Sequence, residues 1–258
     1  TLRLEGSGAF IDDIFGFETL EMAGSDWTLG GTATLLAGPG TTMVSSGLLR
    51  VNGMLTAPGG VTVAGPGRLS GSGSIVGMVA NGGTIAPGDT LGTLKVTGDV
   101  AFAPGSSLEI ETDFGGTDLL DVMGSVTVDP TASLDVFFAP GAPDVQDTTI
   151  VSTTGTVDAN FLVINAPNAL VTVELVGGST LVLNGMGSGA LNTVTQAAAE
   201  EGFSFQRAVA GESRIRPISP DSRLWARGMA DYIERQGDRR NAGYQQDITG
   251  VAFGGDTG

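Results

Sequence analysis

Carboxylates are the groups this sequence could bring to a reaction in number. His and Cys are both absent from the 258 residues, so the chain can form no Ser-His-Asp triad, Cys-His dyad or thiolate zinc site. Paired carboxylates can still cleave glycosidic bonds without His, and two pairs are close enough in sequence to be considered: Asp118 with Asp121, and Asp12 with Asp13. A polysaccharide lyase would also need a basic group to take a proton, and residues 1–186 hold only 4 Lys and Arg. Asp residues are also common in turns, where the side chain bonds the backbone two residues on. Gly115-Gly116-Thr117-Asp118-Leu119 partly matches a calcium-binding nonapeptide, but such sites need the motif in tandem and it occurs once. Phe10, Phe15, Phe17 and Trp27 could offer a platform for a sugar, or fill a core as stacked rings. The expectation is a protein that is not an enzyme, with no catalytic residue, metal or cofactor. The alternative is a β-helix carbohydrate-active enzyme, a lyase or hydrolase working through paired carboxylates.

The elements that would position these residues are set by a repeat. The pattern L-x-V-x-G-x-V-x-[FV]-x-P-x-x-S-L-x-[IV] runs from Leu94 to Ile110 and again from Leu120 to Val136, 26 residues later. Each copy is an alternating strand, a Gly, a second strand, a Pro turn and a third strand. Alternation with period 2 turns one side of each strand inward. A unit this short cannot bury its apolar side alone, so repetition predicts a stack, here a right-handed parallel β-helix. A weaker third copy is expected earlier: Leu49-Arg50-Val51-Asn52-Gly53 matches Leu94-Lys95-Val96-Thr97-Gly98, and Ala57-Pro58-Gly59 matches Ala103-Pro104-Gly105. That offset, 45 residues, predicts two coils of roughly 20 or more residues each.

Composition agrees with an ordered β protein. Gly is 42 of 258 and charged residues are 16 %, with 41 % hydrophobic; a disordered chain would be more charged and less apolar. The net charge of −16 is uneven, −15 in residues 1–186 and −1 in residues 187–258, which marks a boundary. A field this negative argues against nucleic acid as a partner. No run of 18 apolar residues predicts a transmembrane helix. Thr1 opens directly into the strand-like Leu2-Arg3-Leu4 with no leader-like stretch, and the expectation is a piece of a longer chain.

Four regions follow. Residues 1–93 read as β-helix stalk coils, with Gly-Ser and Gly-Pro-Gly separators such as Gly38-Pro39-Gly40 and Gly65-Pro66-Gly67. Residues 94–186 continue the β pattern through Thr148–Val151, Phe161–Ile164, Val171/Val173/Leu175 and a last strand from Ser179 to Asn184. Residues 187–222 hold a weakly apolar helix, with Ala190, Leu191, Val194, Ala197 and Ala198 on one face, and then a basic linker. Residues 223–258 hold two alternating segments about a polar turn at Gln236–Asn241. Small or apolar residues on one face against Arg and Asp on the other suit an outer-membrane barrel, or a soluble hairpin.

Several motifs, in this order, resemble one family. Gly82-Gly83-Thr84-Ile85-Ala86-Pro87-Gly88, Leu91-Gly92-Thr93-Leu94, Thr117-Asp118-Leu119-Leu120-Asp121-Val122-Met123-Gly124 and Thr148–Gly155 followed by Phe161 resemble the C-terminal passenger region of bacterial type Va autotransporters. Leu224-Trp225-Ala226-Arg227-Gly228 and Gly250-Val251-Ala252-Phe253-Gly254-Gly255-Asp256 resemble the first two strands of that family's translocator barrel. The resemblance covers about residues 80–258. It implies a β-helical passenger with an autochaperone (folding-nucleus) segment, a linker helix through the pore, and a twelve-stranded barrel of which this chain holds two strands. Two strands cannot close a barrel. On this reading the folding nucleus packs through Leu94, Val96, Phe102, Leu108, Ile110, Leu134, Val136 and Phe161, and Trp225, Arg227 and Gly228 mark the barrel start. Asn192 becomes a candidate for self-cleavage in the linker. The implied partners are the protein's own barrel, the outer-membrane assembly machinery, and a host surface or neighbouring cells. The implied place is the outer membrane, the cell surface or the medium of a Gram-negative bacterium, and the implied output is adhesion or display of an N-terminal effector. The absence of Cys suits a chain that crosses an oxidising periplasm unfolded.

Overall fold

The computed structural model describes residues 1–186, apart from 39, 141, 143, 159, 160, 162 and 167–169, together with 223–235 and 244–256. Two compact units are distinguished, Thr1–Gly187 and Ser188–Gly258. Among the described residues every regular element is a strand.

In the first unit the chain visits three sheets in rotation. Leu2–Leu4, Ser7–Phe10 and Ile14–Phe17 each lie at the edge of one sheet, and Thr19–Met22, Asp26–Leu29 and Thr32–Leu35 pair parallel to them in the same order. This is a parallel β-helix. Its interior consists of side-chain ladders running from coil to coil. On the first sheet one ladder is Leu2, Leu20, Thr42, Val61, Val79, Val100, Val126. On the second it is Trp27, Leu49, Leu69, Ile85, Leu108, Leu134, Ile164. On the third, Leu55, Ile75, Val96 and Val122 are stacked and fully or almost fully buried. Each aliphatic side chain taken from water contributes about 1.5–3 kcal/mol, and hydrogen bonding to the coil above and below satisfies the backbone.

The 26-residue repeat is one coil. Leu94 pairs with Leu120, Val96 with Val122, Val100 with Val126, Phe102 with Val128, Leu108 with Leu134 and Ile110 with Val136. The three strands of the pattern fall on the third, first and second sheets in turn. The third copy expected at Leu49 is corrected. Leu49 lies on the second sheet and Leu94 on the third, and two coils beyond Leu49 the register arrives at Ile85. Ala57-Pro58-Gly59 and Ala103-Pro104-Gly105 are the same turn at different corners: Gly60 N–H donates to Ala57 O at 2.8 Å, and Ser106 N–H to Ala103 O at 3.1 Å. A turn motif reports local backbone chemistry, not position in the coil.

Corners are tight because coils lie one strand spacing apart, about 4.8 Å. A Cβ at Gly53 would run into the carbonyl oxygens of Gly31 and Gly30 in the coil before it, and one at Gly73 into that of Gly53. Only a residue without a side chain fits this corner.

The parallel stack gives way to an antiparallel hairpin. Strand Val145–Thr153, longer than the expected Thr148–Val151, pairs antiparallel with Thr180–Met186, which pairs antiparallel with Leu170–Val176. Leu181 and Leu183 are fully buried, and Val171, Val173 and Leu175 pack half-buried against the same core. Gly177 and Gly178 turn the hairpin at φ of 62° and 72°, the left-handed region that favours Gly.

In the second unit Arg223–Arg235 and Tyr244–Asp256 form an antiparallel pair with unbroken register, which sets Trp225 opposite Gly254, Arg227 opposite Ala252 and Gly228 opposite Val251. The helix expected at Ala190–Ala210, with Asn192, lies outside the described residues.

Candidate functional site

Of the carboxylates singled out by sequence, Asp118 is the one the fold buries. It is 1 % exposed and lies just before strand Leu119–Met123, at the corner between the second and third sheets. There the chain makes a small excursion: Gly116–Thr117 folds back antiparallel on Thr112 and Asp113. Asp118 then joins two corners. Its Oδ1 accepts the Gly92 N–H of the preceding coil at 2.9 Å, and its Oδ2 accepts the Glu111 N–H at 2.9 Å. Gly88 approaches so closely that a Cβ there would sit 2.8 Å from Oδ1. Burial pushes the Asp118 carboxyl up to about 7 against the pull of the two N–H donors, with the neighbouring charges of Glu111 and Asp113 adding to the rise.

Asp118 lies in a cleft of about 80 Å³ with Arg50, Arg68, Ser70, Asp89, Glu109 and Glu111. Both guanidinium groups are engaged. Arg50 pairs with Asp26 and, through Nε, with Asp89 Oδ1 at 2.9 Å; Arg68 pairs with Glu109. Asp89 also accepts from Asn52 Nδ2 at 2.7 Å, so the loop after Gly88 is held from the coils before it as well as by Asp118. Further along the same face Thr84 and Ser107 hydroxyls meet at 2.9 Å, and Asn165 Nδ2 donates to Asp135 at 2.6 Å. This polar face is the feature sequence reasoning missed. Arg50 and Asp26 are 24 residues apart, and only the corner lengths set their strands side by side, with Arg50 opposite Thr28 and Asp26 opposite Leu48, so that they meet on the diagonal.

The members of each proposed carboxylate pair have different surroundings in the fold. Asp121 stands on the outer side of its strand, in register with Lys95, away from the buried position of Asp118. Asp13 spends Oδ1 on the Thr32 N–H of the next coil at 2.8 Å, and Asp12 beside it is exposed. Asp99 does the same for Ser125 N–H at 2.8 Å, and Asp158 for Val128 N–H at 2.9 Å. Aspartates at corners thus satisfy donors that the strand ladders leave over. Both oxygens of Asp118 accept backbone N–H bonds in this way; no group of three or more His, Cys, Asp or Glu that could hold a metal ion is found among the described residues. Phe10 and Trp27 stack at 5.3 Å, and Phe17 is half-buried against the core, while Phe15 stands 75 % exposed.

The eight packing residues, Leu94, Val96, Phe102, Leu108, Ile110, Leu134, Val136 and Phe161, are all buried in the one interior cluster. Phe161 meets Phe102 edge to face at 5.1 Å, joining the segment after the last full coil to the repeat. No protein-family model matches the chain, and no curated protein matches it.

Proposed function

We propose that this chain is the C-terminal part of the passenger of a type Va autotransporter: a stalk on the surface of a Gram-negative cell whose last coils drive folding during export. The observation that carries the reading is the end of the stack. Two coils built on one 26-residue pattern lie in register, and an antiparallel hairpin then covers the same interior shortly before the composition changes. A segment that closes its own core can fold as soon as it emerges and template the parallel coils before it, one edge at a time. Such folding resists return through a pore and biases transport outward.

The packing residues Leu94 to Phe161 are then the folding nucleus, residues 187–222 the linker with its helix, and Arg223–Arg235 with Tyr244–Asp256 the first strands of the barrel. Adhesion to a host surface or to neighbouring cells, or display of an effector, is the output. The test places residues 1–186 ahead of a complete autotransporter linker and barrel that lacks its own folding segment. Protease-resistant display at the cell surface is expected with the native sequence and lost with Leu134→Asp. Equal display with and without the segment would refute the reading.

A further inference from the structure

The outer faces of the coils carry methionine among small and polar residues. Met is a residue type that ordinarily fills gaps in a core. Here Leu, Val and Ile fill the interior, and of the five methionines whose side chains are described four stand outward, between 39 % and 61 % exposed. Met43 lies between Glu21 and Thr62 on the first sheet, and Met54 between Thr32 and Ser74 on the third. Met123 lies beside Thr97, whose hydroxyl is 3.9 Å from its Sδ. Met78 occupies the corner between strands Ser74–Val76 and Val79–Asn81. The fifth, Met22, is fully buried between Leu4 and Val44. With Cys absent, thioethers are the sulfur this chain offers to an oxidant.

We propose that Met43, Met54, Met78 and Met123 are sacrificial oxidation sites, at which the coils consume hypohalous acid or peroxide without losing their fold. In each reaction the thioether sulfur gives up an electron pair and gains an oxygen. With hypochlorous acid the O–Cl bond breaks, and a proton and chloride leave; with hydrogen peroxide the O–O bond breaks, and water leaves. The product is methionine sulfoxide, which a sulfoxide reductase reverses. A sulfoxide is polar and disrupts a core. On the outer face its oxygen meets water, and at Met123 the Thr97 hydroxyl is placed to donate to it. The inward ladders keep their apolar packing, because an oxidant reaches Met22 only when the coil around it opens. This role rests on the coils alone and is independent of export.

The test treats the full chain with hydrogen peroxide and, separately, with hypochlorous acid, and maps sulfoxides by peptide mass spectrometry. The four outward methionines should oxidise about tenfold faster than Met22, or more. Once they are fully converted by peroxide, Tm should have moved by less than about 4 °C, and a methionine sulfoxide reductase with its thiol reductant should restore the original masses. The fourfold variant Met43→Leu, Met54→Leu, Met78→Leu, Met123→Leu keeps side-chain volume. It should lose its β-sheet circular dichroism after about four fewer equivalents of hypochlorous acid than wild type, one for each thioether. Met22 oxidising as fast as the outward four, unfolding in step with their conversion, or equal tolerance of wild type and variant would overturn the proposal. If the fourfold variant fails to fold, the converted wild type decides: a Tm within that range supports the proposal, and a larger fall overturns it.

Discussion

Thr42 offers a direct probe of how the interior is built. It stands in the first sheet's inward ladder between Leu20 and Val61, 1 % exposed, and its hydroxyl has no hydrogen-bond partner among the described residues. A buried polar group left unpaired costs about 1–3 kcal/mol. Thr42→Val exchanges that hydroxyl for a methyl group of nearly the same size, so cavity and strain terms stay small. Backbone pairing with Leu20 and Val61 is unchanged. The expected gain is about 1–2 kcal/mol. In a unit of this size each kcal/mol raises Tm by about 2–4 °C, so a rise of roughly 2–8 °C follows. Thr42→Ser is the paired control. It keeps the orphan hydroxyl and removes a packed methyl, and should lose about 1 kcal/mol. Urea and thermal unfolding of the full chain, followed by far-UV circular dichroism, reads both variants. A Val variant that is no more stable than wild type would refute the reasoning, since it would mean that the hydroxyl is satisfied in the native interior.

Four further outcomes follow from the same structure. Leu120→Ala empties a fully buried site between Leu94 and Val151 and should cost about 2–5 kcal/mol; Met123→Ala, 61 % exposed on the same strand, should stay within about 0.5 kcal/mol, both read by urea midpoint. Gly53→Ala drives a Cβ into backbone oxygens of the preceding coil and should unfold at a far lower temperature than Gly105→Ala, which meets nothing within 4 Å and carries only the penalty of its φ of 72°. Phe102→Leu and Phe161→Leu, measured singly and together, should show a coupling of about 0.5–1.5 kcal/mol for their edge-to-face contact. Asp118 titrates at about 7 in the fold against an ordinary 3.8, so its contribution is complete below about pH 4 and is lost as pH rises to about 7, near 1.4 kcal/mol per unit. Urea midpoints at pH 5 and pH 8 should differ less in Asp118→Asn than in wild type.

The legible part of this fold is the part with equal corners. From Leu94 to Val136 two successive coils have loops of matching length, so each inward residue recurs at one fixed interval and the register can be read off. Earlier coils vary: the register advances from Leu2 to Leu20, from Thr19 to Thr41, and from Leu69 to Ile85. A fixed offset then links positions on different sheets, as it did for Leu49 and Leu94. Inward and outward alternation survives this, because period 2 depends on the strand alone. Partners across coils do not survive it, which is why Asp26, Arg50 and Asp89 could not be joined from sequence. Asp118 was visible as a candidate, but for pairing with Asp121. Three residues along the chain cross a strand start, and the two side chains then serve different neighbours.

Limited proteolysis of the purified 258-residue chain with mass spectrometric mapping tests the central claim, a β-helical passenger end that closes its own core. One resistant fragment is expected that begins within the first coil and ends near Gly187, with the residues after it digested. Digestion throughout residues 1–186, or equal protection of residues 190–258, would contradict it.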